Sequence, residues 1–412
     1  MNRFHKIAIV LSIAGILGLL HLVKRESENE RQKELEQTAS LDLQGSYTVE
    51  TYGEEGPRVN LTFQSELHND QYCIVYKFLE GTESFREDDS LEPVTLATHA
   101  SSDMIKTVEH LPELWDGPIS VGIYVDYHSY NVLEYLAEIY RCDIRFRKKM
   151  TVHFAFQRSP FQTTCPLISL PQSNMTCQQF YVEQENIRSA IPGLFQHNPV
   201  NLMRNIARKG ALSDLHFVMD GDMIPSDGFA TKIKKVANEV VGNGENKRVL
   251  AIKTFETLNG SVTPSELQKS LNAYKSFEFQ PRPFSADHRV VVGLDDWLRM
   301  FTQSQEVSTK EVDYSRHLWT EHTILHRNDP YNADYFPSTT NVMPSLIYTL
   351  CRAGYTFHVP THVFGVHIRR TRNATVLDQD SQAMKIAINR YVIQMDELYP
   401  STLQQCGVFL MM

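Results

Sequence analysis

A short stretch in the middle of the chain, Leu215–Ser226, places two carboxylates directly after a predicted buried strand. It reads LHFVMDGDMIPS, and its apolar first half is typical of a strand that lies inside a sheet. Asp220 and Asp222 follow with one glycine between them, and Pro225 is expected to prevent the strand from continuing. Two carboxylates at this spacing can share a hard cation such as Mg²⁺ or Mn²⁺, which keeps open positions for the oxygens of a substrate diphosphate. An Asp-Gly hairpin turn is the alternative interpretation of the same letters.

The size and charge of the chain limit the classes of protein to consider. Its 412 residues exceed one average domain but suit a single large α/β domain with additions, and 42% hydrophobic residues are enough for a substantial core. The formal net charge of −9 argues against nucleic acid as a partner, because phosphate binding requires a basic face.

The N-terminus carries an almost unbroken apolar run at residues 7–23, with basic residues on both sides of it. At about 1.5 Å per residue a helix of this length spans roughly 25 Å, which suits a thinner membrane. A cleaved signal peptide is the rival interpretation, but Lys24 and Arg25 stand where small residues would mark a cleavage site. We therefore interpret residues 7–23 as a transmembrane signal anchor and residues 1–6 as a cytoplasmic tail.

Features behind this anchor predict that the body of the protein lies in a lumen. Residues 24–45 are charged and nearly free of large apolar groups, which indicates a stem that holds the body off the membrane. N-glycosylation sequons begin at four positions, Asn60, Asn174, Asn259 and Asn373. We therefore expect a single-pass type II protein of the Golgi membrane.

The cysteines agree with an oxidising compartment. Their number is even, at six, and no CxxC pair occurs, which favours disulfides over a zinc site. The short separation of Cys165 and Cys177 suggests a loop staple, although connectivity cannot be deduced from spacing. Cys351 lies in an apolar helix-like run and could instead be a free buried thiol.

The body begins with alternating segments and continues with a strand–helix–strand pattern. Residues 46–90 predict strands of a small accessory sheet. Further on, the pattern gives a helix, a buried strand, a second helix and a second strand, over Asp103–Trp115, Ile119–Val125, Asn131–Tyr140 and Met150–Phe156. This order predicts a parallel βαβ unit, in which nucleotides bind at the carboxyl ends of the strands. Asp126 follows one of these strands and is a candidate nucleoside contact, with helix capping as the alternative.

The stretch before the acidic pair carries a resemblance to a known family. A predicted helix presents Asn201, Arg204, Asn205 and Arg208 on roughly one side and leads into the strand that ends in Asp-Gly-Asp. Further segments follow the same order, among them Leu96–His99, Trp115–Val121, Val249–Ile252, Arg327–Tyr331, Ala353–Phe357 and Phe364–His367. Together they resemble glycosyltransferase family 49, which includes transferases of glucuronic acid and xylose that act on dystroglycan.

The resemblance implies an α/β fold of the GT-A type, a Rossmann-like sheet that binds a UDP-sugar and a divalent metal, usually Mn²⁺. The resemblance covers residues 91–400, and residues 401–412 are interpreted as a C-terminal tail. Independently of the resemblance, apolar residues at helical spacing predict a core-packing helix over Met384–Leu398. Asp220 and Asp222 match the metal-binding pair of the family, and His367 matches a third ligand. Asn201, Arg204 and Asn205 are implied to contact the nucleotide sugar. Arg369 or Arg370 could help to neutralise the leaving diphosphate or bind an acidic sugar, with solvated surface arginines as the alternative.

The resemblance also implies an inverting displacement, which needs a carboxylate base on the acceptor hydroxyl. Asp334 and Glu321 are candidates by their location in the matching block. Two departures put the specificity in doubt, because Ser338–Val342 replaces the usual Tyr-Gly segment and Lys253 stands where the family is usually uncharged. They leave open a catalytically silent, glycan-binding relative of the same fold.

We therefore expect an enzyme that moves a sugar from a UDP-sugar to a glycan on a glycoprotein or glycolipid. Glucuronic acid is the donor sugar that the resemblance favours, with N-acetylglucosamine, xylose or another hexose as alternatives. A secreted calcium-binding lectin would need more oxygen ligands near Asp220 than this stretch offers.

Overall fold

A computed structural model describes residues 56, 62–86, 89–171, 173–194, 198–257, 279–281, 294–304, 306–314, 322–337, 343–368 and 381–409. The predicted anchor, the stem and the sequons at Asn60, Asn259 and Asn373 lie outside these residues, whereas Asn174 is described and exposed. Over the described residues, none of the helices combines the length and the apolar character needed to cross a membrane.

The described strands form one large mixed sheet and two smaller sheets. In chain order they are β1 (Thr62–Phe63), β2 (Glu66–His68), β3 (Tyr72–Leu79), β4 (Val94–Ser101), β5 (Ile119–Tyr124), β6 (Met150–Gln157), β7 (Ile168–Ser169), β8 (Leu215–Val218), β9 (Met223–Pro225), β10 (Arg248–Ile252), β11 (Thr254–Thr257), β12 (Phe279–Pro281), β13 (Thr309–Val312), β14 (His322–His326), β15 (Thr356–Pro360) and β16 (Gly365–Ile368). The large sheet has the order β13-β15-β10-β14-β8-β4-β5-β6-β3-β2. Its central strands β8, β4, β5 and β6 are parallel, and β14 and β3 flank them in the antiparallel sense.

Helices cover both faces of this sheet. In chain order the described α-helices are α1 (Ile105–Leu114), α2 (Asn131–Cys142), α3 (Ile144–Lys149), α4 (Cys177–Ser189), α5 (Val200–Gly210), α6 (Phe229–Val240), α7 (Leu294–Gln303), α8 (Met343–Arg352), α9 (Ser381–Leu398) and α10 (Leu403–Cys406). Apolar residues of α1, α2 and α6 share a buried cluster with Phe217, whereas α8 and α9 pack with its neighbour Val218. Successive residues of a strand point to opposite faces, so the sheet lies between two helical layers. The result is a mixed α/β fold.

The elements predicted around the βαβ unit are confirmed within a few residues as α1, β5, α2 and β6, and β5 and β6 are parallel. β4 and β5 are buried along their whole length, as expected for the middle of a sheet that is covered on both faces. The predicted C-terminal helix is α9, which buries Met384, Ala387, Tyr391 and Met395 but leaves Ile386 exposed.

The chain crosses three times from the large sheet to a four-stranded sheet of order β12-β11-β16-β9. The crossings join β8 to β9, β10 to β11 and β15 to β16, and Lys253 is the residue at the second crossing. Backbone hydrogen bonds tie them together, since Gly365 N donates to Lys253 O at 3.0 Å and Ser226 N donates to Phe364 O at 2.8 Å. Pro225 was expected to prevent the strand before the acidic pair from continuing. That strand, β8, already ends at Val218, and Pro225 ends the short edge strand β9, a position that tolerates proline.

Two predicted segment boundaries need correction. An accessory sheet was expected in residues 46–90. Of the described strands there, β2 and β3 instead extend the large sheet, because β3 pairs with the outer edge of β6, whereas β1 pairs with β7 in a separate two-stranded sheet. A sheet edge offers unpaired backbone groups, and a segment with strand character satisfies them by joining it. Residues 401–412 are not simply a tail, because Cys406 and Phe409 are buried against α8 and α9.

The six cysteines form three disulfides, Cys73–Cys165, Cys142–Cys177 and Cys351–Cys406. The suggested Cys165–Cys177 staple is therefore wrong, and Cys351 is not free. Each bridge joins a buried cysteine of a regular element to a segment far from it in sequence, which local spacing cannot reveal.

One glycine allows α5 to lie directly on the sheet. A Cβ atom added at Gly122 of β5 would lie 2.4 Å from the backbone oxygen of Met203 in α5. Because backbone on both sides resists movement, a side chain at this position would force the helix away from the sheet.

We expect Gly122→Ala to lower the free energy of unfolding by about 1–3 kcal/mol, because overpacking displaces α5 from the sheet. Urea denaturation measures this. Gly193→Ala is the matched control, because its added Cβ would meet its nearest atom, in Asp103, at 4.0 Å. Equal stability of the two variants would contradict the close contact of α5 with β5.

Candidate functional site

Asp220 and Asp222 lie in the turn at the first crossing, between β8 and β9. Met219 N donates to Ala97 O of β4 at 3.2 Å, which keeps the strand in the large sheet up to the turn. A Cβ atom at Gly221 would lie 2.3 Å from the carbonyl oxygen of His99. The glycine therefore lets the turn rest on the carboxyl end of β4, and it sets the position of both carboxylates.

Asp220 is surrounded by nitrogen donors from three elements. Arg204 of α5 is in direct contact with Oδ1 through its Nη2 atom. His99 Nε2 of β4 lies 3.5 Å from Oδ1, and His322 Nε2 of β14 lies 3.4 Å from Oδ2. Arg204 and both imidazoles are buried, so water competes little with them for this carboxylate.

These contacts keep Asp220 ionised. Burial by itself raises the pKa of the Asp220 carboxyl, because it disfavours the charged form. The Arg204 guanidinium, with smaller contributions from His322 and His99, outweighs that effect and holds the pKa well below its usual range. The turn thus presents a fixed negative charge at neutral pH.

Asp222 is paired with His367 of the four-stranded sheet. His367 stands opposite Met223 in the pairing of β16 with β9, which brings its ring beside the turn. His367 Nε2 donates to Asp222 Oδ2 at 3.1 Å. Burial raises the pKa of Asp222, but the hydrogen bond from His367, together with the charges of His367 and His99, outweighs it, and the pKa lies below its usual value.

The fit of a divalent cation can be judged from these donors. Within the ranges given above, no group of three or more His, Cys, Asp or Glu side chains is arranged to hold a metal ion. The donor chemistry nevertheless fits, since two carboxylates and an imidazole adjoin one another, and the buried Nδ1 of His322 has no hydrogen-bond partner among the described residues. The 3.1 Å between Asp222 and His367 also suits adjacent ligands of an octahedral ion, which lie roughly 3 Å apart at metal–ligand distances of about 2.1 Å.

Helix α5, which was predicted to contact a nucleotide sugar, forms hydrogen bonds with the acidic turn and with a loop. Of its predicted residues, Arg204 touches the acidic pair, and Asn201 holds Arg204 by accepting from its Nη1 at 3.0 Å. Asn201 also donates to Ala333 O at 2.8 Å, and Asn205 exchanges hydrogen bonds with the backbone of Asn332. α5 therefore connects the turn to the loop after β14.

Of the remaining predicted residues, the described ones, Asp126 and Asp334, form their hydrogen bonds with other partners than the turn. Asp126 is buried, and its Oδ1 accepts from the backbone N–H groups of His128 and Ser129 at 3.0 Å, ahead of α2. Asp126 does not cap α2, because Tyr130 precedes the helix and no side chain caps its N-terminus. The helix-capping alternative is therefore wrong, and the nucleoside contact stays a prediction. Asp334 lies 2.8 Å from His68 of β2. Glu321, Arg369, Arg370 and the segment 338–342 lie outside the described residues.

His99 and His322 are the two contacts that sequence reasoning missed. His99 was part of a quoted motif without a role, and His322 begins β14, which the sequence analysis did not identify. The available signal was a histidine in an otherwise apolar or β-branched buried strand, as in Val94–Ser101. Which carboxylate such a histidine faces depends on the strand order, and the sequence does not provide that order.

Comparison with known proteins shows the family of this chain. The family model described as glycosyl-transferase for dystroglycan matches residues 93–400, three quarters of the chain. The chain belongs to glycosyltransferase family 49. The resemblance noted from the motifs is thereby confirmed.

Among family 49 relatives, human β-1,4-glucuronyltransferase 1 is 28% identical over 200 residues, which cover 46% of this chain and 46% of that protein. The chain thus spans about half the length of this relative. The zebrafish (Danio rerio) β-1,4-glucuronyltransferase 1 is 23% identical over 97% of both chains. Xylosyl- and glucuronyltransferase LARGE1 of Mus musculus is 22% identical over 54% of this chain and 26% of that protein.

Solved structures also show distant likenesses to this family 49 chain. GalNAc-T7 with UDP, GalNAc and Mn²⁺ aligns with a TM-score of 0.38 at 9% identity, covering 77% of this chain and 52% of that chain. TarS of S. aureus with UDP-GlcNAc aligns with a TM-score of 0.39 at 11% identity, covering 76% and 72%.

We expect Arg204→Gln to lower the free energy of unfolding by about 3–5 kcal/mol, because it leaves the Asp220 carboxylate in the interior without its guanidinium partner. Adding Asp220→Asn removes the orphaned charge, so the double variant should recover a large part of that loss. Urea denaturation of the full cycle measures the coupling.

Lys310→Gln is the control for this cycle, because the Lys310–Asp296 pair is largely exposed and should contribute no more than about 1 kcal/mol. A loss in Arg204→Gln no larger than in the control, or no recovery in the double variant, would contradict the structural role of the Arg204–Asp220 contact.

Proposed function

We propose that this chain is a metal-dependent glycosyltransferase of the GT-A type, which transfers a sugar from a UDP-sugar to a glycan on a glycoprotein or glycolipid with inversion at the transferred carbon. The observation that carries the proposal is the position of Asp220, Asp222 and His367 side by side at the crossing between two sheets. Membership of family 49 supports a sugar-transfer role for this arrangement.

The proposed donor site uses the turn as its anionic centre. A Mn²⁺ or Mg²⁺ ion, held by Asp222 and His367 with Asp220, would neutralise the negative charge that develops on the leaving diphosphate. Arg204 fixes the orientation of Asp220 through a buried contact, and Asn201 fixes Arg204 in turn. Such support keeps the carboxylates in place without reorganisation during the reaction.

Glucuronic acid is the proposed donor sugar. The support is the similarity to the two β-1,4-glucuronyltransferases and to the xylosyl- and glucuronyltransferase. N-acetylglucosamine, xylose and other hexoses stay in the panel to be tested, because donor choice depends on the shape of the pocket.

Asp334 or Glu321 is the proposed catalytic base, because inversion requires a carboxylate that takes the proton of the acceptor hydroxyl. Asp334 adjoins Ala333, whose carbonyl oxygen accepts from Asn201, so it lies close in sequence to the network that holds Arg204. We further propose that residues 7–23 anchor the protein in the Golgi membrane as a type II protein, with the catalytic domain in the lumen.

The experiment follows UDP release by the purified full chain with a panel of UDP-sugars and Mn²⁺, with and without glycan acceptors. We expect metal-dependent release from one donor. Asp222→Asn and His367→Gln should each lower the rate by about 100-fold or more, because they remove charge stabilisation of the leaving group.

Asp296→Asn is the matched control, because Asp296 is a partly exposed carboxylate paired with Lys310 and should leave the rate unchanged. UDP binding without turnover by any donor would favour the silent glycan-binding alternative. Absence of any UDP–Mn²⁺ binding in calorimetry would overturn the metal-site interpretation of Asp220 and Asp222.

A further inference from the structure

A second concave site lies away from the acidic turn. It is a cavity of about 820 Å³ beneath the ends of β5 and β6, and the loop between β6 and β7 forms its other wall. We call it the Tyr127 cavity, after one of its rim residues. Its volume falls within the roughly 300–1,000 Å³ that is typical of small-molecule sites.

The cavity opens at the same edge of the large sheet as the acidic turn. β8, β4, β5 and β6 are neighbouring parallel strands, so their carboxyl ends lie side by side. With strands about 4.8 Å apart, the ends of β5 and β6 are roughly 10–14 Å from the end of β8. This is a distance that a short oligosaccharide can span.

Two exposed aromatic rings form part of the lining of the cavity. Tyr127 is 75% exposed and Tyr130 is 56% exposed, and both follow β5. Large apolar rings that remain exposed together are unusual in a folded domain and indicate a binding surface.

The lining also carries polar groups, which narrows the class of ligand. The buried carboxylate of Asp126 forms part of the wall, together with Gln157 and Ser159. An alkyl chain would place hydrocarbon against this carboxylate, which is costly. A sugar ring combines hydroxyl groups for polar partners with an apolar C–H face that lies against an aromatic ring, so it satisfies both parts of the lining.

We propose that the Tyr127 cavity is a secondary binding site for sugar rings of the acceptor glycan, separate from the acidic turn. The inference rests on the proposed function, because it assumes a glycan acceptor. Tyr127 and Tyr130 provide faces for stacking, and the polar groups of the wall bind hydroxyls. The site holds a part of the acceptor remote from the reacting hydroxyl, so it favours long acceptors over short ones.

The test measures binding of the full chain to a printed glycan array in the presence of saturating UDP and Mn²⁺. We expect binding to oligosaccharides, and a loss of about tenfold or more in the double variant Tyr127→Ala, Tyr130→Ala, since each aromatic contact contributes about 0.5–1.5 kcal/mol. Tyr127→Phe should retain binding, because it keeps the ring. All of these substitutions are at exposed positions and should leave folding intact.

Two further variants separate this proposal from the proposed function. Asp222→Asn should abolish UDP release yet keep array binding, whereas the double aromatic variant should keep acceptor-independent UDP release. Val182→Ala, at a residue 74% exposed on α4, is the matched surface control and should change neither. The proposal is overturned if no glycan is bound, if the double aromatic variant binds as well as the unaltered protein, or if Asp222→Asn abolishes binding.

Discussion

The contact between Arg204 and Asp220 is the interaction on which the rest of the site depends. A guanidinium buried this deeply needs a charged partner, and the carboxylate of Asp220, whose side chain is 21% exposed, is that partner. The contact therefore joins α5 to the turn after β8. Through Asn201 and Asn205 the same helix holds the loop after β14. Packing of α5 on Gly122 then sets the distance between these parts, so the helix positions the carboxylates rather than simply covering the sheet.

The site lies where three segments of the chain leave one sheet for another. Inside a sheet, the backbone of a strand is fixed by hydrogen bonds to its neighbours. At a crossing these hydrogen bonds stop, so the chain can bend there and side chains from different crossings can approach one another. Asp220 and Asp222 come from the first crossing, while His367 is delivered by the strand that follows the third. Hydrogen bonds between the crossing segments, such as that from Gly365 N to Lys253 O, fix the position of one sheet relative to the other. Residues separated by about 145 positions thus become neighbours.

The parts of this arrangement that depend on local pattern were predictable from the sequence. Apolar runs such as Ile119–Val125 identify central strands, and the letters around Asp220 and Asp222 point to the acidic turn. Long-range pairing was not predictable, and it accounts for the errors. The segment before residue 90 has ordinary strand character, but only the free edge of β6 determines that β3 joins the large sheet. The same holds for the partners of Cys165 and Cys351, and for His322, whose role follows from the placement of β14 between β8 and β10.

The Tyr127 cavity and the acidic turn differ in how far their structure depends on a disulfide, because the Cys73–Cys165 bridge lies beside the cavity. Cys73 stands opposite Phe156 in the pairing of β3 with β6, and Cys165 belongs to the loop that forms one wall of the Tyr127 cavity. The bridge tethers that loop to the sheet, whereas the acidic turn is held by hydrogen bonds and ion pairs alone among the contacts described. Protein made in a reducing cytosol would lose the tether of the cavity wall while keeping every contact that orients Asp220. Material for studies of glycan recognition therefore has to come from a secretory pathway.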